Sequence, residues 1–87
     1  MDQKQHKYKN SLVFYRKRMG FSQKNVARLL GHADATPLCL YERGNMLPPL
    51  EVALRLGLIL RVPVEFLFPR LYEELRTRIR QQEELLA

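Results

Sequence analysis

The sequence lacks the features that stabilise small secreted proteins or hold proteins in a membrane. Cys39 is the only cysteine, so no disulfide framework can form within the chain. No apolar run approaches the roughly 18 residues of a transmembrane helix, and the first residues lack the apolar centre of a secretion signal. We therefore expect a cytoplasmic protein with no membrane partner.

Residues that could support catalysis or metal binding are also scarce. His6 and His32 have no thiol or carboxylate neighbours at the spacing of metal ligands. There is no Ser/His/Asp order with supporting turns, no glycine-rich phosphate loop, and no carboxylate pair outside charged helix faces. These absences predict a protein that is not an enzyme and uses neither a metal nor another cofactor.

Acidic residues are nearly absent from the first third of the chain. Residues 1–30 contain eight lysines and arginines and one acid, a net charge of +7, whereas the whole chain of 87 residues has +6. This asymmetry favours an anionic partner. Nucleic acid is favoured over a membrane surface because no basic helix has a broad apolar face. A basic surface that is merely solvated is the alternative.

The chain has enough apolar residues for one helical domain. Its 46% hydrophobic and 28% charged residues predict a folded core, and its length allows a single domain. Residues 1–10 are polar and lysine-rich without a period, which predicts a loose, basic N-terminal arm. Helical spacing then predicts helix 1 from Ser11 to Met19, ended by Gly20. Helix 2 follows a cap at Ser22 and ends at Gly31.

The third helix is predicted to be short and to end at Gly44. Its cap is either Asp34 or Thr36, and Pro37 lies in the first turn in both cases, where its missing N–H costs nothing. Only four or five residues separate helix 2 from helix 3. This spacing predicts a tight helix-turn-helix unit, although any small helical bundle contains similar hairpins.

Prolines divide the rest of the chain. Pro48 and Pro49 precede a fourth helix, Pro63 opens a short fifth helix through Leu67, and an unbroken sixth helix follows Pro69, over residues 71–86. The residues expected to face the core from the fourth helix are Leu50, Ala53, Leu54, Gly57 and Leu60. Glycine inside this helix costs about 1 kcal/mol relative to alanine, which predicts a close helix crossing there.

A phased set of short motifs resembles a known family. The motifs are Ser22-Gln23-Lys24, Val26-Ala27, Leu29-Leu30-Gly31-His32, Leu38, Tyr41-Glu42-Arg43-Gly44, Pro48, Val62-Pro63-Val64 and Leu67-Phe68. Together they resemble the Cro and phage-repressor, or Xre-type, helix-turn-helix domain over about residues 11–68. The resemblance implies a five-helix DNA-binding bundle that regulates transcription, usually as a dimer on palindromic duplex DNA. The expected organisation is all-α, with an arm over residues 1–10, a helix-turn-helix domain over 11–68, and an amphipathic sixth helix within 69–87.

Contacts with the DNA backbone are implied residue by residue. The positions that match the family's backbone contacts, or lie beside them, are Arg16, Gln23, Lys24, Arg43 and Asn45. Glu42 matches a glutamate that is more often structural, so Arg16 is expected either to pair with Glu42 or to contact DNA. Phosphate contacts position a protein on the duplex without reading its sequence.

The groove-facing positions of helix 3 depart from the family pattern. They correspond to Ala35, Thr36, Cys39 and Leu40, with Pro37 nearby, where similar proteins carry serine, arginine, glutamine or asparagine. Bidentate base contacts are therefore absent from these positions. Three outcomes follow: a preference for A·T pairs, recognition of DNA shape, or loss of specific DNA binding.

The sixth helix has apolar residues at alternating spacings of three and four. This seam consists of Tyr72, Leu75, Ile79, Gln82 and Leu86, two heptads with one polar member. The seam is expected to pair with a second copy, to fold back on the domain, or to fray. Pairing would make the protein a homodimer through Tyr72, Leu75, Ile79 and Leu86.

The sequence thus favours a DNA-binding transcriptional regulator that docks helix 3 in the major groove. The alternative is a protein-interaction module on the same scaffold, antitoxin-like or anti-repressor-like, whose helix 3 contacts a protein partner. Leu29, Leu40 and Phe66 are expected on the outside. A continuous apolar surface that joins Leu40 to Leu29 or Phe66 would favour the protein partner.

Overall fold

The computed structural model describes residues 7–86, which form six α-helices without a β-strand in that range. The helices are α1 (Leu12–Arg18), α2 (Gln23–Leu29), α3 (Thr36–Glu42), α4 (Leu50–Leu60), α5 (Val64–Leu67) and α6 (Pro69–Leu86). The predicted all-α architecture, five helices and a sixth, is therefore confirmed. Residues 1–6 of the predicted arm, including His6, and residue 87 lie outside the described residues.

A side-chain cap begins α2 where the sequence predicts it, whereas α3 begins differently from the prediction. Ser22 Oγ accepts a bond from the Asn25 N–H at 2.9 Å, and Asn25 Oδ1 accepts one from the Ser22 N–H at 3.0 Å, which completes a capping box. Asp34 Oδ1 accepts a bond from the Thr36 N–H at 2.8 Å. The N-cap of α3 is Ala35, which makes no side-chain cap bond, so neither Asp34 nor Thr36 is the cap that the sequence predicts. Asp34 lies one residue before Ala35 and closes the turn that leads into the helix. The Thr36 N–H also lowers the pKa of Asp34 below its usual value.

The core lies between α1 and α5 and is entirely apolar apart from one tyrosine hydroxyl. Its members are Leu12, Val26, Leu30, Leu38, Tyr41, Leu56, Leu60, Leu67 and Phe68. α2 packs on α3, α1 on α3, α4 on α5, and α5 on α6. No described residue of α6 is buried, although the half-buried Leu71 in its first turn packs against the core.

The predicted inward face of α4 is partly wrong. Ala53, Gly57 and Leu60 are buried as expected, but Leu50 and Leu54 are 74% and 50% exposed. The helix is apolar on most sides, so its pattern does not distinguish the buried face from the neighbouring one. The expected close approach at Gly57 exists, but the turn into α5 makes it. A Cβ at Gly57 would lie 3.0 Å from the Val62 carbonyl oxygen.

The described part of the N-terminal arm is held in place, contrary to the expectation of a loose segment. The Tyr8 N–H donates to the Gly44 carbonyl at 3.0 Å, and Asn10 Nδ2 donates to the Tyr41 carbonyl at 2.8 Å. The Ser11 N–H donates to the Leu67 carbonyl at 2.9 Å. These long-range bonds fasten residues 8–11 across the end of α3 and to α5.

Candidate nucleic-acid interface

A largely buried ion pair joins α1 to α3. Arg16 Nε donates to Glu42 Oε2 at 2.6 Å and its Nη2 donates to Oε1 at 3.2 Å, while Nη1 donates to the Phe21 carbonyl at 3.1 Å. The side chains of Arg16 and Glu42 are 12% and 4% exposed. Of the two roles expected for Arg16, the structure therefore has the pairing with Glu42. With all three nitrogens engaged inside the protein, Arg16 is poorly placed as a DNA contact.

Gln23 belongs to the same network, which the sequence analysis did not anticipate. Its Nε2 donates to Glu42 Oε1 at 2.7 Å, so the glutamate fixes the direction of the carboxamide. A carboxamide nitrogen has two N–H donors. One N–H of Gln23 is thus available to an oxygen outside the protein, such as a phosphate oxygen, from a preset position.

One face of α3 is turned away from the core and is partly exposed. Leu38 and Tyr41 are buried, and Thr36, Leu40 and Arg43 recur on the opposite face at spacings of four and three. Thr36 and Arg43 are exposed. Arg43 is the C-cap of α3 and keeps helical dihedral angles, so it continues this outer face into the turn that follows the helix.

The other predicted groove-facing residues are less accessible. Ala35, Cys39 and Leu40 are all half-buried, and Thr36 is the one fully exposed member of the four. Leu40 is thus not the exposed leucine that the sequence predicts. The exposed polar residues on the outer face of α3 are Thr36 and Arg43.

Basic residues flank the N-terminal end of α3. A surface cavity of about 450 Å³ is lined by Lys24 and Arg28 of α2 together with Asp34 and Ala35 at the start of α3. Both cations are exposed. Asp34 is the one acid in the lining, and its carboxylate already accepts the Thr36 N–H. Lys24 was predicted as a backbone contact, whereas Arg28 was not singled out.

Basic residues also flank the C-terminal end of α3. Gly44 has a φ of +79°, and a Cβ there would lie 3.0 Å from the Tyr8 carbonyl oxygen, so only glycine lets the arm approach this closely. The exposed Lys7 and Lys9 therefore lie beside the loop that carries Asn45, which is exposed as well. A cavity of about 340 Å³ connects the two lysines with Arg70 and Arg78 of α6.

The arm lysines are functional candidates that the sequence analysis missed. Their charge contributed to the basic N-terminal total, but nothing local indicates where they lie. Their position depends on the bonds of Tyr8 and Asn10 to residues more than 30 positions away in the chain.

The exposed apolar residues concentrate away from α3. Leu29 and Phe66 are 56% and 52% exposed, as expected. Phe66 lies in a cavity with Tyr15 and Tyr72, on the side of α1, α5 and α6. It thus forms part of a different surface from Leu40.

Three further findings concern similarity to known proteins, metal binding and membrane-spanning helices. The chain matches no protein-family model and no curated protein. Among residues 7–86, no group of three His, Cys, Asp or Glu side chains lies close enough to hold a metal ion. None of the helices in that range has the length and apolar character to span a membrane.

Proposed function

We propose that this protein is a cytoplasmic, dimeric transcriptional regulator that binds duplex DNA by docking α3 in the major groove. It would be a binding protein of the Cro and phage-repressor type and not an enzyme. The observation that carries the proposal is the arrangement around α3. Thr36 and Arg43 are exposed on its outer face, and exposed cations lie at both of its ends.

The dimensions of this surface suit a duplex. α3 has seven residues, which is about 10 Å of helix, and the major groove of B-DNA is about 12 Å wide. With α3 in the groove, Lys24 and Arg28 would face the phosphates on one side, and Lys7 and Lys9 those on the other. Gln23 would donate its second N–H to a phosphate oxygen, in the direction that Glu42 fixes.

Base reading in this arrangement depends on few side chains. Thr36 would make one polar contact, and Leu40 could touch a thymine methyl group. Arg43, in line with both on the outer face, is the residue type that reads guanine through paired hydrogen bonds. We therefore propose modest specificity, with Arg43 as a base contact and not only a phosphate contact.

The alternative function, a protein-interaction module, has one supporting observation. Exposed leucines are numerous, and most of them lie on α4 and α6. A protein contact at those helices is compatible with DNA binding at α3, so the leucines do not argue against the regulator.

The salt dependence of DNA binding tests the proposal. The logarithm of the affinity should fall by about 0.9 per log unit of salt for each phosphate contacted. Fluorescence anisotropy of a labelled duplex with the Lys24→Ala/Arg28→Ala variant should show weaker binding for every sequence and a slope reduced by up to about 1.8. Arg80→Ala removes an exposed cation from α6 and serves as the control, with little change expected. Binding that ignores salt, or equal losses for both variants, would contradict the proposal.

Arg43 has its own test. Arg43→Lys keeps the charge and removes the paired donors. If Arg43 reads a base, this variant should lose about 1–3 kcal/mol of discrimination at one base pair of a selected duplex. A uniform loss over all sequences would restrict Arg43 to a phosphate contact.

A further inference from the structure

The outer part of α6 has no packing partner within the chain. The helix has 18 residues and none is buried, and from Tyr72 to Leu86 every residue is exposed. Its hydrogen-bonded ion pairs, Glu73 with Arg76 and Arg80 with Glu83, are exposed as well and add little. An isolated helix of about this length is marginal in water, so a partner that covers the apolar seam would stabilise it.

An apolar groove opens beside the first turns of the same helix. It has a volume of about 460 Å³ and is lined mainly by Leu47, Leu50 and Ala53 on one side and Leu71, Tyr72 and Leu75 on the other. A cavity of about 150 Å³ accommodates a benzene-sized group, so the groove has room for roughly three such groups.

Exposed leucines extend this groove along α4. Leu50, Leu54 and Leu58 follow one another at spacings of four, and they are 74%, 50% and 79% exposed. Side chains at this spacing form one stripe on a helix. A contiguous exposed apolar surface of this kind marks an interaction site.

The chain cannot fill the groove with its own C-terminal leucines. Leu85 and Leu86 are 76% and 86% exposed. Leu86 lies eleven residues beyond Leu75, which is about 16 Å along the helix. Because α6 is unbroken between them, these leucines point into solvent away from the groove.

We propose that the groove and the α6 seam bind the C-terminal half of α6 from a second copy of this chain, with the two helices antiparallel. The inference deepens the proposed function, because it assigns the dimer contact of the proposed regulator. A two-fold axis near Ile79 sets Tyr72 opposite Leu86 of the partner subunit and Leu71 beside the partner's Leu85. The two leucines that are most exposed on α6 then cover the wall of the groove.

The charges beside the seam agree with this register. Arg76 and Glu83 lie on the same flank of the seam, one on each side of Ile79. The antiparallel register therefore places Arg76 beside Glu83 of the partner subunit, and the symmetry repeats this attraction. In a parallel pair, the partner's Glu83 would face Arg78, which is an attraction as well. The effect of charge reversal at Arg76 therefore distinguishes the two arrangements.

The oligomeric state of the full chain, measured without DNA, tests the proposed dimer contact at the groove and the α6 seam. Sedimentation at tens of micromolar should give a mass twice the 10.3 kDa of the chain. Leu75→Glu and Leu50→Glu should each give a monomer with an unchanged circular dichroism spectrum of the bundle. Phe14→Glu alters an equally exposed apolar residue, 62% exposed on α1, and should remain a dimer. A native monomer, or a dimer that survives both leucine variants, would overturn the proposal whatever the DNA affinity is.

Charge reversal tests the antiparallel register. Arg76→Glu should weaken the dimer about tenfold because it turns two attractions into repulsions. Arg76→Glu/Glu83→Arg should restore it, since both pairs are then attractive again. In the control, Glu84→Arg reverses an exposed charge outside the seam that belongs to neither intrachain ion pair of Arg76 or Glu83, and it should leave the dimer unchanged. If the dimer of the double variant is as weak as that of the single variant, or weaker, the antiparallel arrangement is overturned.

Discussion

Glu42 connects the interior of the bundle to its candidate DNA surface. One carboxylate binds the buried Arg16 and also orients Gln23. A buried ion pair gains little over an apolar pair, but removal of one partner leaves an uncompensated charge. The residue therefore affects both stability and the presentation of Gln23.

Glu42→Ala should lower the free energy of unfolding by about 3–5 kcal/mol, measured by urea denaturation at neutral pH. Arg16→Met/Glu42→Leu replaces the pair with apolar side chains and should lose less than the single variant. It should still weaken DNA binding, because Gln23 loses the acceptor that orients it. A loss below about 1 kcal/mol for Glu42→Ala would contradict the buried, unrelieved charge.

Asp34 makes the stability of the folded protein depend on pH through the turn that begins α3. Its folded-state pKa is lowered, chiefly by the Thr36 N–H, so its charge stabilises the folded protein above the unfolded pKa of about 3.9. That contribution is lost as the pH falls through the lowered folded value. Asp34→Asn keeps the acceptor oxygen and removes the charge. The Tm difference between the native protein and this variant should be constant from about pH 7 to 5 and shrink below about pH 4. A difference that persists unchanged in acid would exclude a role for the charge.

The arm is the element whose position matters most for the candidate interface. It carries Lys7 and Lys9, and its contact with Gly44 decides whether they lie beside α3. Gly20 and Gly44 have almost the same φ, +77° and +79°, but a Cβ at Gly20 would have nothing within 4 Å. The two glycines therefore separate the cost of the backbone conformation from the cost of displacing the arm.

Gly20→Ala should lose about 1–2 kcal/mol of stability, the cost of a left-handed conformation with a Cβ. Gly44→Ala should lose at least about 1 kcal/mol more, because the arm must move, and it should also weaken DNA binding. Thermal unfolding and duplex titration of both variants measure these effects. Equal stability losses with equal DNA affinity would mean that the arm contributes nothing at this position.

At the scale of the whole molecule, the bundle and α6 are separable. All residues of the buried core lie between Leu12 and Phe68, and α6 contacts the bundle mainly through its first turns. The fold of the domain should therefore not depend on the last helix, whereas the assembly of two copies should.

A chain that ends at Phe68 should unfold cooperatively, sediment as a monomer and bind duplex DNA more weakly than the full chain. The weaker binding follows because two linked domains engage DNA with a high effective concentration. Circular dichroism melting, sedimentation and anisotropy check the three parts. A truncated chain that still forms dimers would place the dimer contact on the bundle itself.

The sequence by itself determines most of the helix boundaries. Ser22, Asp34, the prolines and the three glycines after α1, α2 and α3 act through local backbone geometry, which requires no knowledge of the rest of the chain. The basic N-terminal end and the α6 seam are likewise visible in the composition and the period. The ends of α1 to α5 consequently agree with the predictions to within about two residues.

Only the tertiary structure decides which residues of different helices contact one another and which remain exposed. Gln23 bonds to Glu42 and Tyr8 docks on Gly44, although the residues of each pair are far apart in the chain. Leu50 and Leu54 are exposed, although they continue the apolar pattern of α4. No local rule predicts these outcomes. α4 illustrates the reason, because a helix that is apolar on most sides can bury any of several faces at similar gain. The face of α4 that is buried is the one on which the Val62 carbonyl approaches Gly57. The leucines left outside are a consequence of packing, and no period in the sequence predicts them.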